Sequence, residues 1–210
     1  MRLYCAPLAC SLADHIALHE VGVAFDLVRV DMRSKLTETG QDFHQICAKG
    51  YVPALVLADG QILTENIAVL DWLSESFPAL APQGPMGRSR QLEALAFIST
   101  EIHRAFKSMW HGGTDRDRAR AAVTVTGLLA LMAGTMQGDY LFGDRLSVAD
   151  SYLFVMLLWA ERFKVEVPDA MADLRDRVRA RPAVQRAMAT EGLFKPLPGR
   201  VSCPGRVNAE

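Results

Sequence analysis

Residues 2–30 read RLYCAPLACSLADHIALHEVGVAFDLVRV and carry the pattern of a strand, a helix and a second strand. Residues 2–5 are predicted to form the first strand, and Pro7 with the small residues after it indicates a loop. Residues 11–21 place apolar side chains at helical spacing, whereas residues 25–30 form the β-branched and apolar run typical of a strand. Because strand–helix–strand crossovers are right-handed, the two strands should lie parallel in one sheet.

A β-hairpin and a further helix are predicted to complete this part of the chain. Residues 54–57 and 62–63 are strand-like and flank Asp59-Gly60, a dipeptide that favours a tight turn because glycine tolerates positive φ. A helix should follow from Thr64 or Glu65. The expected fold class of this region is therefore a mixed α/β domain.

The composition changes after residue 78. Residues 78–87 contain three prolines and two glycines without periodicity, which is typical of a linker. Only helical patterns follow, at about 88–110, 115–137, 147–163, 169–180 and 182–191. The predicted organisation is an α/β domain at 1–78, a linker at 79–87, an all-α domain at 88–194 and an irregular tail at 195–210.

Two local signals support the helical assignment. Gly138 is predicted to close the second of these helices, as glycine commonly does at a helix end. Ser147 and Asp150 have the spacing of a capping box, in which each side chain pairs with a free backbone N–H at the helix start. We expect a structural role for this motif.

Charge and composition indicate a small-molecule partner. The 210 residues include 23 basic and 24 acidic side chains, so the sequence lacks the excess of positive charge typical of proteins that bind nucleic acid or anionic lipid. The most apolar stretch, residues 152–160, is far shorter than the roughly 20 residues of a membrane span. No signal-peptide pattern is evident, so we expect a cytoplasmic protein that does not contact membranes. The four cysteines form no C-x-x-C pair, which predicts reduced thiols and no zinc site.

Cys10 and Ser11 directly precede the predicted first helix. Free N–H groups and the helix dipole at this position favour an anion, so the pKa of the Cys10 thiol should be lowered. Cys10 is either a reactive thiolate or a small packing residue, and Ser11 either caps the helix or donates to a ligand sulfur.

Further candidate binding groups surround the hairpin. Val52-Pro53 is either a cis bond that exposes the backbone of Val52 to a peptide-like ligand, or a trans proline at a strand edge. Glu65 and Asn66 either hold an α-amino-acid head group at a helix start or form an ordinary cap.

The histidines and the missing motifs narrow the possible chemistry. His103 lies on an apolar stripe and is either a buried structural histidine or a site residue. His15 and His19 are one helical turn apart, but they lack the third ligand that a metal site would need. The sequence contains no P-loop, no G-x-G-x-x-G and no G-x-S-x-G motif.

Taken together, these motifs resemble the glutathione S-transferases, and more narrowly their bacterial beta class. The resemblance covers residues 1–194 and rests on Pro7 with Cys10-Ser11, the run KGYVPAL at 49–55, LTE at 63–65 and EIH at 101–103. It continues through 147–154, Arg181-Pro182 and the EGL at 191–193.

The resemblance implies a thioredoxin-like N-terminal domain, an all-α C-terminal domain, a homodimer, and glutathione as co-substrate with no metal. Cys10, Ser11 and His103 would be the catalytic residues, with Cys10 beside the glutathione sulfur. The implied glutathione contacts are Cys10, Lys35, Tyr51, Val52, Pro53, Glu65, Asn66, Thr100 and His103. The second substrate would be a small hydrophobic electrophile.

Three departures from the family pattern alter the expected pocket. Asn66 replaces a serine found in many relatives, and Ala96 replaces an asparagine that reaches glutathione in close ones. Cys47 and Tyr51 replace the more usual asparagine and glutamine. We expect conjugation of glutathione to electrophiles, with disulfide reduction or peroxide reduction through Cys10 as a further activity. The alternative is a non-catalytic protein of this fold that senses ligands or binds proteins.

Overall fold

The computed structural model of the protein describes residues 1–194, so the predicted tail at 195–210 lies outside the described residues. A sheet forms the N-terminal part, with strand order β2-β1-β3-β4. Its strands are β1 (Arg2–Cys5), β2 (Asp26–Arg29), β3 (Ala54–Val56) and β4 (Ile62–Thr64). The pair β1 and β2 is parallel, whereas β3 runs antiparallel to both β1 and β4. The predicted crossover and hairpin are both present.

Two helices pack with this sheet, α1 (Leu12–Val21) and α2 (Asn66–Ser76). Helix α1 is buried from Leu12 to Leu18 because it contacts the sheet and α2 as well as the helical part of the chain. Gly22 caps its C-terminal end with a φ of 70°, which is accessible to glycine without a steric penalty.

The rest of the described chain is helical, which confirms the predicted fold class of a thioredoxin-like domain followed by an all-α domain. The helices are α3 (Gly87–Phe97), α4 (Lys107–Trp110), α5 (Asp115–Ala133), α6 (Val148–Phe163), α7 (Asp169–Arg179) and α8 (Pro182–Thr190). None of the helices in residues 1–194 has the length and apolarity needed to cross a bilayer.

Helix α6 is the centre of the helical domain, and its residues from Val148 to Ala160 are all buried. The predicted capping box is present: the Ser147 hydroxyl accepts from the Asp150 N–H, and Asp150 Oδ2 accepts from the Ser147 N–H at 2.8 Å. Asp150 Oδ1 also accepts from the Leu141 N–H at 2.8 Å, so the motif ties the preceding loop to the helix.

The structure corrects two of the predicted helices. The stretch predicted as one helix over 88–110 contains α3, a π-helical segment at Ile98–His103 and the short α4. Apolar spacing cannot distinguish a π-helical segment from a regular helix over a single turn, although such segments recur at functional sites. Gly138 does not close α5, which ends at Ala133; an added Cβ at Gly138 would lie 2.9 Å from the Gly143 carbonyl carbon. Glycine is needed there for a close loop contact.

Candidate active site

Two adjoining cavities lie where the two domains meet. The first, here called the polar cavity, has a volume of about 320 Å³. Its lining residues are Cys10, Cys47, Lys49, Tyr51, Val52, Pro53, Thr64, Glu65, Asn66, Ile67, Ser99, His103 and Tyr152. The second, here called the aromatic cavity, has a volume of about 610 Å³. Its lining residues are Ala6, Pro7, Leu8, Ala9, Cys10, Met32, Lys35, Tyr51, Val52, His103, Arg104, Lys107, Trp110, His111 and Trp159. Cys10, Tyr51, Val52 and His103 belong to both, so a ligand group at this junction is accessible from either side.

Cys10 lies at the junction of the two cavities, and its carbonyl accepts from the Ala13 N–H at 2.9 Å in the first turn of the helix. The predicted lowering of its pKa is wrong: burial, with a smaller effect of Asp14, raises the pKa of the Cys10 thiol to about 12. The thiol donates to the Val52 carbonyl at 3.6 Å, which also favours the protonated form. The resting residue is a neutral thiol because the cost of burying a thiolate exceeds the stabilisation from the helix start.

Ser11 occupies a different place from the one predicted. Its side chain is fully buried, lines neither cavity and makes no cap bond to α1. Its hydroxyl instead accepts from the Ala6 N–H at 3.3 Å. Ser11 therefore holds the loop before Cys10 and does not face a ligand in either cavity.

The residues around Val52 form one wall of both cavities. The bond between Val52 and Pro53 is cis, and Tyr51 is 66% exposed at the edge. Lys35 adopts a φ of 61°, and its ammonium donates to the Gly50 carbonyl at 3.0 Å. The same ammonium lies 5.7 Å from the centre of the Tyr51 ring. Lys35 and Tyr51 thus form a cationic and aromatic edge on the N-terminal domain.

Glu65 lies at the start of α2 with a φ of 73°. Its carboxylate accepts from the Lys49 ammonium at 2.6 Å, and both side chains are more than half exposed. An exposed pair of this kind contributes little to stability, so the carboxylate can exchange Lys49 for another cation.

Asn66 is buried as the first residue of α2. With Nδ2 oriented towards acceptors, it donates to Asp14 Oδ2 at 2.8 Å and to the Cys10 carbonyl at 3.2 Å. Burial raises the pKa of the Asp14 carboxyl well above its ordinary value. Asn66 therefore links the floor beneath Cys10 to the polar cavity.

His103 comes from the π-helical segment and lines both cavities. Its Nδ1 lies 2.6 Å from the hydroxyl of Tyr152, and its ring meets that of Trp159 edge to face at 4.8 Å. Ser99 and Asn66 also approach this hydroxyl. Burial lowers the pKa of His103, which favours the neutral imidazole. Because Tyr152 engages Nδ1, Nε2 is the nitrogen that remains for a ligand.

Thr100 is exposed and lines neither cavity, whereas its neighbour Ser99 lines the polar one. The π-helical segment contributes Ser99 and His103 to the same cavity. Ser99 and Tyr152 were not predicted as site residues. The available signal for Tyr152 was a phenol hydroxyl in the buried apolar run at residues 152–160 of α6.

The helical domain holds the loop before Cys10 through Leu8, which has a φ of 61°. The Leu8 N–H donates to Glu191 Oε2 at 3.0 Å, and its carbonyl accepts from Trp159 Nε1 at 2.8 Å. Glu191 Oε1 lies 2.9 Å from Nδ1 of the buried His15. His15 is thus part of a link between the two domains. Residues 1–194 contain no cluster of three side chains that could ligate a metal.

Family models match both parts of the chain. The glutathione S-transferase N-terminal domain matches residues 9–76, and the glutathione S-transferase C-terminal domain matches residues 97–182. The chain belongs to the glutathione S-transferase family. The family match covers the cavities' shared residues Cys10, Tyr51, Val52 and His103.

Individual members of the glutathione S-transferase family agree with this assignment. Glutathione S-transferase GstA of Escherichia coli O157:H7 is 36% identical over 200 residues, covering 92% of this chain and 100% of GstA. A sphingomonad glutathione S-transferase solved with glutathione is 40% identical with a TM-score of 0.85, covering 92% of this chain and 100% of that one. A bacterial beta class glutathione S-transferase from Sphingomonas chungbukensis is 39% identical with a TM-score of 0.84 and the same coverage. The predicted resemblance to the beta class is confirmed.

Proposed function

We propose that this chain is a glutathione transferase that joins the glutathione sulfur to small electrophiles. The observation that carries the proposal is the meeting of the polar and aromatic cavities at Cys10, Val52 and His103. A thiol peptide in the first cavity would present its sulfur to an apolar substrate in the second. The sphingomonad relative solved with glutathione supports the same ligand. A purely non-catalytic role is not favoured, because Cys10 and His103 lie where the two cavities meet and a bound thiol would reach a second substrate.

The lining of the polar cavity matches the groups of glutathione. Glu65 would take the γ-glutamyl ammonium in exchange for Lys49. The free backbone N–H groups at the start of α2, beginning with that of Asn66, would take the neighbouring carboxylate, because the Asn66 side-chain amide already donates to Asp14 and Cys10. The backbone of Val52, followed by Pro53, would pair with the cysteinyl part.

The glycyl carboxylate would lie towards the edge formed by Lys35 and Tyr51. Ser11 and Thr100 would not contact glutathione directly, since neither side chain lines the polar or the aromatic cavity.

Deprotonation of bound glutathione is proposed to use His103. The neutral ring is held through Nδ1 by Tyr152, so Nε2 can accept the thiol proton. The sulfur then forms a bond to the electrophilic carbon while the leaving group departs with the bonding electrons. The Cys10 thiol lies beside the sulfur position and can donate to the thiolate.

Disulfide reduction through Cys10 is a second candidate, favoured by the position of this thiol on both cavities. Cys10 would attack a glutathionyl disulfide and release the other thiol, and a further glutathione would resolve the mixed disulfide as oxidised glutathione. The raised pKa of the Cys10 thiol lowers its thiolate fraction and so slows this attack in the resting protein.

The proposed function is tested by retention on immobilised glutathione and by conjugation of 1-chloro-2,4-dinitrobenzene. We expect both, and folded protein that shows neither would refute the proposal. Cys10→Ala separates the two chemistries: conjugation should largely persist while disulfide reduction is lost. Equal retention of both reactions would dismiss the redox role of Cys10.

A homodimer is also proposed. Leu131 is 63% exposed, and it borders a cavity of about 410 Å³ that Phe97 and Phe142 also line. An exposed apolar patch of this kind fits a subunit interface. Sedimentation should give twice the mass of the chain, and Leu131→Arg should lower it towards the monomer.

A cytoplasmic location is proposed as well, supported by Cys5, Cys10 and Cys47, which are all free thiols. Fractionation of cells should recover the protein with cytoplasmic markers.

A further inference from the structure

The aromatic cavity combines an apolar body with a rim of a single charge sign. Trp110 and Trp159 meet at 5.2 Å and form its apolar wall together with Met32. Lys35, Arg104 and Lys107 line the same cavity, and its lining contains no aspartate or glutamate. Lys35 is accounted for by the glycyl carboxylate of glutathione, but a pocket intended only for uncharged apolar molecules would not need Arg104 and Lys107 at its edge as well.

Arg104 and Lys107, the two cations that the helical domain contributes to the aromatic cavity, are not neutralised by ion pairs within the described chain. Elsewhere arginines pair with carboxylates, as Arg88 does with Asp71 at 2.8 Å. No ion pair among residues 1–194 includes Arg104 or Lys107. Their charge is therefore available to a ligand.

Arg104 and Lys107 also lie on the side of the junction where the electrophile would bind. Arg104 follows the π-helical segment and Lys107 begins α4, so both come from the helical domain. Neither lines the polar cavity, where Glu65 and Asn66 are found. Glutathione in the polar cavity would leave them facing the second substrate.

We propose that the aromatic cavity selects electrophiles that carry a carboxylate or similar anionic group on a flat apolar body, with Arg104 and Lys107 holding the anion. This rests on the proposed glutathione conjugation. The tryptophans would cover the apolar body, and the reacting carbon would lie towards Cys10 and His103.

The test compares two substrates that differ in one charge, 4-chloro-3,5-dinitrobenzoate and its methyl ester. In both, the glutathione sulfur bonds to the ring carbon that bears chlorine, chloride leaves with the bonding electrons, and the thiol proton passes through His103 to solvent. Each kcat/KM is divided by the rate constant of the uncatalysed reaction. This removes the difference in intrinsic reactivity.

We expect the corrected ratio of acid to ester to exceed about fivefold in the wild-type protein and to fall as salt is added, as for partly exposed ion pairs. The double substitution Arg104→Gln, Lys107→Gln should lower this ratio about fivefold or more. Each single substitution should lower it less. The matched control Arg116→Gln, an exposed cation on α5, should leave the ratio unchanged.

A wild-type ratio near one, or a ratio unaffected by the double substitution, would overturn the inference. An equal rise in the KM for glutathione with both electrophiles, at an unchanged ratio, would also overturn it, because the cations would then serve glutathione. In each of these outcomes the protein would still turn over the methyl ester, so the proposed glutathione conjugation would stand. Absence of turnover of both substrates with no retention on glutathione would instead refute the proposed function.

Discussion

Tyr152 is the residue whose substitution tests the geometry around His103 most sharply. Its hydroxyl lies 2.6 Å from His103 Nδ1, and the side chain is 1% exposed. Tyr152→Phe removes the hydroxyl without changing the packed ring. A buried hydrogen bond whose loss leaves a partner unsatisfied is worth about 1–3 kcal/mol. Because His103 is only partly buried, we expect a loss of about 1–2 kcal/mol.

The same substitution should slow conjugation. Without Tyr152 the imidazole of His103 loses the partner that fixes Nδ1, so Nε2 is less well oriented towards the glutathione thiol. A cost of about 1.4 kcal/mol in the transition state corresponds to a tenfold fall in kcat/KM. Urea unfolding measures the first effect, and conjugation of 1-chloro-2,4-dinitrobenzene measures the second.

Tyr140→Phe is the matched control. Tyr140 is also buried, and its hydroxyl accepts from Arg181 at 3.1 Å, but it lines neither the polar nor the aromatic cavity. It should lower the unfolding free energy and leave conjugation near the wild-type rate. The reasoning is refuted if Tyr152→Phe keeps full stability and activity, or if Tyr140→Phe slows conjugation equally.

Three other predictions follow from the same structure. Burial raises the pKa of the Cys10 thiol to about 12, so its rate of alkylation by iodoacetamide should still rise with pH beyond about 8.5, the ordinary thiol pKa. Peptide mass spectra measure this rate, and a plateau near neutral pH would contradict the expectation. Glu191→Gln places an amide NH2 group against the N–H donor of Leu8 or of His15. Urea unfolding should therefore show that the free energy of unfolding falls by about 2 kcal/mol, and glutathione binding should weaken. An unchanged unfolding midpoint would exclude the interdomain link. Ser147→Ala should cost about 1 kcal/mol through the lost cap and leave conjugation unaffected, which separates stability from activity.

Local features of the fold were predictable because their causes lie within a few residues. The Asp59-Gly60 turn, the parallel pairing of β1 with β2 and the capping box at Ser147 all follow from short-range rules. The π-helical segment at Ile98–His103 was not predictable, since a single wider turn leaves the apolar spacing almost unchanged. The domain limits at 1–78, 79–87 and 88–194 stay predictions.

The residues that form the site could be predicted from the sequence better than the protonation of those residues could. Cys10, Val52 and His103 do meet, but the pKa of Cys10 depends on burial, which no local pattern reveals. Tyr152 was missed because its partner lies 49 residues away in the chain. The bond of Glu191 to Leu8 joins residues 183 positions apart and could not be inferred from either segment alone.

The central claim is that glutathione occupies the polar cavity with its sulfur at the junction beside Cys10. A crystal structure of the protein with glutathione tests this directly. The account predicts the sulfur within contact distance of the Cys10 sulfur, the cysteinyl backbone paired with Val52, and the ammonium on Glu65. Glutathione bound elsewhere, or a sulfur pointing away from both Cys10 and the aromatic cavity, would contradict it.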